Sequence, residues 1–102
     1  MYIYADVLLI INIAMNGLIL ILTAWAAGNK GPGEGTVGSP ASLGNAFAVG
    51  AVDSQNKIAL FSSRCPSPWG YIKPDVVAPG VNVRSTIAGG GYEAGWNGTS
   101  MA

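Results

Sequence analysis

The chain has 102 residues, half of them hydrophobic and only 10% charged, with five acidic residues against five basic ones and no histidine. A formal net charge of zero, without a basic stripe or aromatics interleaved with Lys and Arg, lacks the electrostatic footprint that nucleic acid requires, so no nucleic-acid partner is expected. One cysteine, Cys65, makes neither an intrachain disulfide nor a multi-cysteine metal site, and without histidine little else could hold zinc; no metal and no cofactor is expected. Cys65 reads as a small space-filler beside a turn.

The first 27 residues differ from the rest. Before Gly28 there is one glycine, Gly17, and no proline, whereas the two residues punctuate every later stretch. From Val7 to Ala27 no residue is charged, and only Asn12, Asn16 and Thr23 are distinctly polar, which meets the length of about 20 apolar residues that crosses a bilayer. Two readings compete. In one, residues 1–27 form a single membrane helix, giving a membrane partner and a membrane localisation with the remainder extracytoplasmic. Its opening Met1-Tyr2-Ile3-Tyr4-Ala5-Asp6-Val7-Leu8-Leu9-Ile10-Ile11-Asn12, continuing through Met15 to Leu22-Thr23-Ala24, resembles the first membrane helix of the sporulation sigma-E factor processing peptidases. That resemblance implies an anchor and no chemistry. In the other, Asp6 to Asn16 is a buried helix, Gly17 its left-handed cap, and Leu18 to Ala26 a buried parallel strand. The absence of charge and the opening residues favour the membrane helix.

Beyond Gly28 the pattern is one of alternating short elements of an α/β domain. Ala46 to Val52 is a brief apolar run that suits a buried strand, and Lys57 to Ser62 suits another, with Asp53-Ser54-Gln55-Asn56 a polar turn between them. Pro66-Ser67-Pro68-Trp69-Gly70 is a loop, because two prolines remove backbone donors and bias the preceding residues away from helix. Val76-Val77-Ala78 is a third strand, stopped by Pro79-Gly80, and Val81 to Ile87 a fourth. Gly89-Gly90-Gly91 is a turn; neither it nor Gly31-Pro32-Gly33-Glu34-Gly35 has the lysine and following helix of a phosphate-binding loop.

Four blocks stand out in order: Ala26-Ala27-Gly28-Asn29, Phe61-Ser62-Ser63-Arg64, Lys73-Pro74-Asp75-Val76-Val77-Ala78-Pro79-Gly80 and Gly98-Thr99-Ser100-Met101-Ala102. Acyl transfer needs a nucleophile held against a carbonyl carbon and donors placed where charge develops on its oxygen. Ser100 could supply the first and Asn29 the second. The four blocks resemble the subtilisin-like serine peptidases from about Trp25 to Ala102. The resemblance implies a doubly wound parallel sheet, Ser100 as nucleophile, the Asn29 side-chain amide as oxyanion donor, and Ala26, Ala27 and Gly28 as the wall of the pocket for the residue before the cleaved bond. If both resemblances hold, two unrelated peptidase pieces meet near Ala24 to Gly28.

Departures from the family pattern set the functional expectation. A serine hydroxyl is a weak nucleophile until a base takes its proton, the family's base is a histidine oriented by an aspartate, and this chain has no histidine. Asp53 and Asp75 belong to other blocks. The expectation is therefore a truncated subtilisin-like domain over residues 28–102, inactive alone, acting on a polypeptide substrate only if complemented, behind a membrane-type helix over residues 1–27. Cys65 stands where the Ser-Ser-Arg-Gly-Pro form has glycine, which questions the loop there if that position needs positive φ.

Overall fold

The computed structural model describes residues 7–13 and 18–102. Among these described residues six strands occur, β1 (Val7–Ile13), β2 (Leu18–Ala26), β3 (Phe47–Val52), β4 (Val76–Pro79), β5 (Val83–Thr86) and β6 (Tyr92–Trp96). Four form one sheet in the order β1-β2-β3-β4, and β5 and β6 form a separate hairpin. Strands β2, β3 and β4 are parallel, with Ala24, Trp25 and Ala26 opposite Phe47, Ala48 and Val49, and Val49 to Val52 opposite Val76 to Pro79.

The membrane helix expected over residues 1–27 is not what the described part forms. Val7–Ile13 pairs antiparallel with Leu18–Ala24, Val7 opposite Ala24 and Ile13 opposite Leu18, so the chain reverses within the segment that a spanning helix would traverse in one direction. Among the described residues no helix is long and apolar enough to cross a membrane. The β-branched isoleucines of Leu18-Ile19-Leu20-Ile21-Leu22 fit a pleated strand as well as a helix, and lateral pairing with β1 and β3 decides between them. The alternative reading placed a parallel strand at Leu18 to Ala26, which β2 is. Its helix over Asp6 to Asn16 is replaced, where described, by β1. Residues 1–6 and the Gly17 cap lie outside the described residues.

The parallel strands agree with the expected sheet, but no helix occurs among the described residues, so the connections do not wind over its faces. From Ala27 to Ala46 the chain runs through turns closed by Ser42 N–H on the Gly38 carbonyl (3.0 Å), Leu43 N–H on Pro40 (3.1 Å) and Ala46 N–H on Leu43 (3.2 Å). Frequent glycine and proline in this stretch oppose helix propagation. Small residues fill the core: Val37, Ala41 and Ala48 pack with half-buried Trp25, and Ala27, Ala51, Val52 and Ala59 are also buried.

Lys57 to Ser62 is not a strand. Asp53 Oδ1 accepts from the N–H groups of Gln55 (2.8 Å) and Lys57 (2.9 Å), and Asn56 takes φ 60°, which folds the chain tightly back on itself. Only Val52 and Ile58 make a bridge there, before Ser62 N–H turns the chain onto the Ala59 carbonyl (3.0 Å). The expected strand near Val81 to Ile87 contracts to β5, and β6 was not anticipated. Val83 lies opposite Trp96 and Thr86 opposite Tyr92, with a register shift between Val83 and Ser85. Gly89, Gly90 and Gly91 turn this hairpin with φ of 88°, 91° and 107°, conformations that a Cβ disfavours.

Lys73 and Asp75 attach β4 to β3. The Lys73 ammonium, 3% exposed, donates to the Ala46 carbonyl (2.6 Å) and to both Asp75 carboxylate oxygens (3.0 and 2.8 Å). Asp75 Oδ2 also accepts from Ala48 N–H (2.7 Å), and Asp75 N–H donates to the Ala48 carbonyl (2.9 Å). Burial opposes ionisation of Asp75, but the Ala48 amide and the Lys73 ammonium outweigh it and hold the carboxyl below its ordinary range.

Candidate active site

Parallel strands leave a sheet at one common edge, so the segments after β2 and β4 emerge together at their carboxyl ends, the edge where open α/β sheets place ligands. Gly28 and Asn29 follow β2, and Gly80 follows β4. The segment after β6 closes onto both. Gly98 N–H donates to the Gly80 carbonyl (2.9 Å), and Gly80 N–H donates to the Val52 carbonyl at the end of β3 (3.0 Å). A Cβ on Gly80 would sit 2.7 Å from both the Gly98 carbonyl oxygen and Ala51 Cβ, so only glycine lets the two backbones approach this closely.

Asn29 is held from 70 residues away. Its Oδ1 accepts two hydrogen bonds from Thr99, one from the backbone N–H and one from the hydroxyl, each 2.9 Å. The same hydroxyl accepts from Gly28 N–H at 3.2 Å, and Thr99 is 2% exposed. With Oδ1 committed, the amide is fixed with Nδ2 on its other side. Nδ2 lies 3.5 Å, and Ser100 Oγ 3.3 Å, from the point where a Cβ on Gly98 would stand. The missing side chain of Gly98 thus leaves a small gap bordered by a hydroxyl and an amide donor. Met101 N–H closes the turn onto the Gly98 carbonyl (3.1 Å).

The loop carrying Asn29 is shaped by the Phe61-Ser62-Ser63-Arg64 block. Gly31 N–H donates to the Phe61 carbonyl (2.8 Å), Ser63 N–H to the Gly28 carbonyl (2.9 Å), and Lys30 N–H to Ser63 Oγ (3.1 Å). Further along, Thr36 and Arg64 exchange bonds, Thr36 N–H to the Arg64 carbonyl (3.1 Å) and Arg64 N–H to Thr36 Oγ1 (2.9 Å). Gly28 adopts φ 110°, and a Cβ there would stand 2.9 Å from Ser63 Oγ; one on Gly31 would collide with the Ser62 carbonyl. Buried Ser62 turns inward instead, its Oγ accepting from Ala51 N–H (3.0 Å).

A family model described as the subtilase family matches residues 6–102. The chain belongs to the subtilase family. The match runs unbroken through Ala24 to Gly28, where two unrelated pieces were expected to meet, and the likeness of the opening residues to a sporulation processing peptidase has no support. Over 86 residues the chain is 46% identical to bacillopeptidase F of Bacillus subtilis, covering 80% of this chain and 6% of that one. It is 49% identical over 84 residues to subtilisin E of the same organism, again 80% of this chain and 20% of the relative. Among solved structures, a psychrophilic protease matches with 41% identity and a TM-score of 0.63 over 78% of this chain and 29% of that one. The prenylagaramide maturation protease PagA matches with 35% identity and a TM-score of 0.68 over 80% and 28%. The chain spans about a fifth of the length of subtilisin E.

Within this subtilase chain Ser100 and Asn29 are brought to one gap. Of the residues expected to line a substrate pocket, Ala26 is exposed, Gly28 is half-buried, and Ala27 is wholly buried, its N–H donating to the Val49 carbonyl (2.9 Å). Thr99 positions Asn29, a role that residue type alone does not reveal beyond its place between Gly98 and Ser100. Ser63 and Gly80 likewise shape the site from within the blocks Phe61–Arg64 and Lys73–Gly80, whose residue types alone do not reveal a role. Cys65 is exposed rather than space-filling, and among the described residues the non-glycine positive-φ residues are Asn56 and Asn82, so Cys65 does not take the left-handed conformation that would favour glycine there.

Proposed function

We propose that the chain supplies the nucleophile and one oxyanion donor of a subtilisin-like serine endopeptidase and is inactive alone. Ser100 Oγ attacks the scissile carbonyl carbon of a polypeptide, and Asn29 Nδ2 donates to the oxygen as it gains charge. The observation that carries this reading is the convergence of Ser100 Oγ and Asn29 Nδ2 on the gap beside Gly98. Thr99 fixes the amide so that its donor, not its acceptor, faces that gap. Ala26, the last residue of β2, and Gly28 just beyond it form the wall beside the residue preceding the cleaved bond, with wholly buried Ala27 packed between them.

The expected inactivity follows from the proton. Attack by Ser100 requires a base for its hydroxyl hydrogen, and the chain has no histidine. Neither Asp53 nor Asp75 substitutes, since Asp53 is engaged by its own turn and Asp75 by Lys73. A fluorophosphonate probe tests the reading directly. The chain alone is expected to remain unlabelled, and mixing with a separate subtilase piece bearing the aspartate and histidine is expected to give labelling that Ser100→Ala removes. Absence of labelling in every complemented mixture would overturn it.

A further inference from the structure

A second opening shares no residue with the Ser100 gap. This groove, of about 710 Å³, is lined by Leu43, Gly44, Asn45, Trp69 and Tyr71. Trp69 is 64% and Tyr71 50% exposed, so two large rings face solvent instead of joining the core. Their loop is nonetheless tightly built. Ser67, 3% exposed, accepts on Oγ from the N–H groups of Trp69 (3.3 Å) and Tyr71 (3.1 Å). Its own N–H donates to the Tyr71 carbonyl (2.9 Å), and its carbonyl accepts from Gly70 N–H (2.9 Å). The Tyr71 ring rests on Gly44, where a Cβ would stand 2.7 Å from Cζ. The Tyr71 ring and the backbone that carries Trp69 are therefore held in place before any ligand arrives, which lowers the ordering cost of binding.

The chemistry of the lining selects the ligand. No charged side chain lines the groove, so a charged ligand would lose hydration without a counter-charge. Asn45 supplies a side-chain amide beside the Trp69 indole N–H and the Tyr71 hydroxyl, and no carboxylate or guanidinium lines the groove to grip a sugar's adjacent hydroxyls, whereas a single donor suffices for one backbone carbonyl. Proline has no N–H to satisfy, and in polyproline II form it presents flat apolar faces that dock on aromatic-lined grooves with little entropy to lose. We infer that the groove is an exosite for a neutral, proline-bearing stretch of polypeptide, stacked on Trp69 and Tyr71 above Gly44, with the Asn45 amide donating to a peptide carbonyl. The inference rests on the proposed action on polypeptides and assigns a second contact for the same substrate class.

Calorimetric titration of the full chain with a neutral-ended hexaproline peptide tests it, with maltohexaose as the competing ligand class. Saturable one-to-one binding of hexaproline is expected, weakened roughly tenfold or more by Trp69→Ala, retained by Trp69→Phe, and unchanged by Ser100→Ala. Gly44→Ala, which pushes the Tyr71 ring off its seat, is expected to weaken binding without touching Trp69. Absence of hexaproline binding, binding indifferent to both Trp69→Ala and Gly44→Ala, or binding of maltohexaose alone would overturn the exosite. Because binding needs no catalysis, failed labelling of Ser100 with intact hexaproline binding would sink the peptidase reading alone, and the reverse would sink the exosite alone.

Discussion

Thr99 holds Asn29 by two hydrogen bonds to a single oxygen, one from its N–H and one from its hydroxyl, each 2.9 Å. A side-chain amide anchored at its acceptor must present its donor elsewhere. Thr99→Val keeps the backbone bond and the shape but removes the hydroxyl, leaving Gly28 N–H without its 3.2 Å acceptor. A loss of about 1–3 kcal/mol in urea unfolding is expected, with Thr99→Ser restoring most of it. In the same variants the Asn29 side-chain amide resonances in NMR are expected to average for Val and stay distinct for Ser. A stability loss with an ordered Asn29 would make Thr99 merely structural.

Gly98→Ala separates site from fold. The new Cβ would meet Ser100 Oγ at 3.3 Å and Asn29 Nδ2 at 3.5 Å, tight but not colliding, and Gly98 is not among the positive-φ glycines. Its stability cost is expected to stay within about 1 kcal/mol, because the side chain enters an open gap. Fluorophosphonate labelling in the complemented protein is expected to fall by on the order of 10²–10³, the magnitude known from subtilisin itself for loss of an oxyanion donor.

Gly80→Ala is expected to act the other way. Here the Cβ strikes the Gly98 carbonyl oxygen and Ala51 Cβ, both at 2.7 Å and neither free to yield. Destabilisation of about 1–3 kcal/mol is expected from forced overpacking, measured as a lowered urea midpoint, together with loss of labelling as the Ser100 turn moves.

The Lys73–Asp75 contact gives a pH dependence with a definite sign. The folded carboxyl titrates below its ordinary value of 3.8, so its stabilisation is present in full above that value and is lost as pH falls through the lower folded one. Urea midpoints are expected to be flat near neutrality and to decline on acidification past pH 3.8, and Asp75→Asn is expected to flatten that decline. Lys73→Met is expected to cost less than the roughly 3–5 kcal/mol of breaking a fully buried pair, because the Asp75 side chain is 33% exposed and partly screened.

Much of the sheet and of the site was legible from the residues. The apolar runs at Ala46 to Val52 and Val76 to Ala78 announced strands, because short branched stretches bounded by glycine, proline and polar turns have few other uses, whereas Leu18 to Ala26 suited a membrane helix better than the strand it forms. Ser100 and Asn29 stood out as candidates because the chemistry of acyl transfer restricts which residue types can serve, and the fold brings the two side chains to one gap beside Gly98. The lack of histidine determined that no general base of the expected kind lies in this chain.

Tertiary structure alone decided the rest. An uncharged run from Val7 to Ala27 carries no statement of whether its backbone bonds are satisfied along one helix or across neighbouring strands, and the pairing of Val7 with Ala24 and of Ala24 with Phe47 settles that. The strand expected at Lys57 to Ser62 lost to local turn bonds from Asp53, and the exposed Tyr92–Trp96 strand exists because its partner β5 lies alongside. The orientation of the Asn29 amide depends on Thr99, which is distant in sequence and adjacent only after the sheet edge and the Gly80–Gly98 contact have formed. Residue type fixes which bonds a group can make, and the fold fixes which partner is near enough to make them.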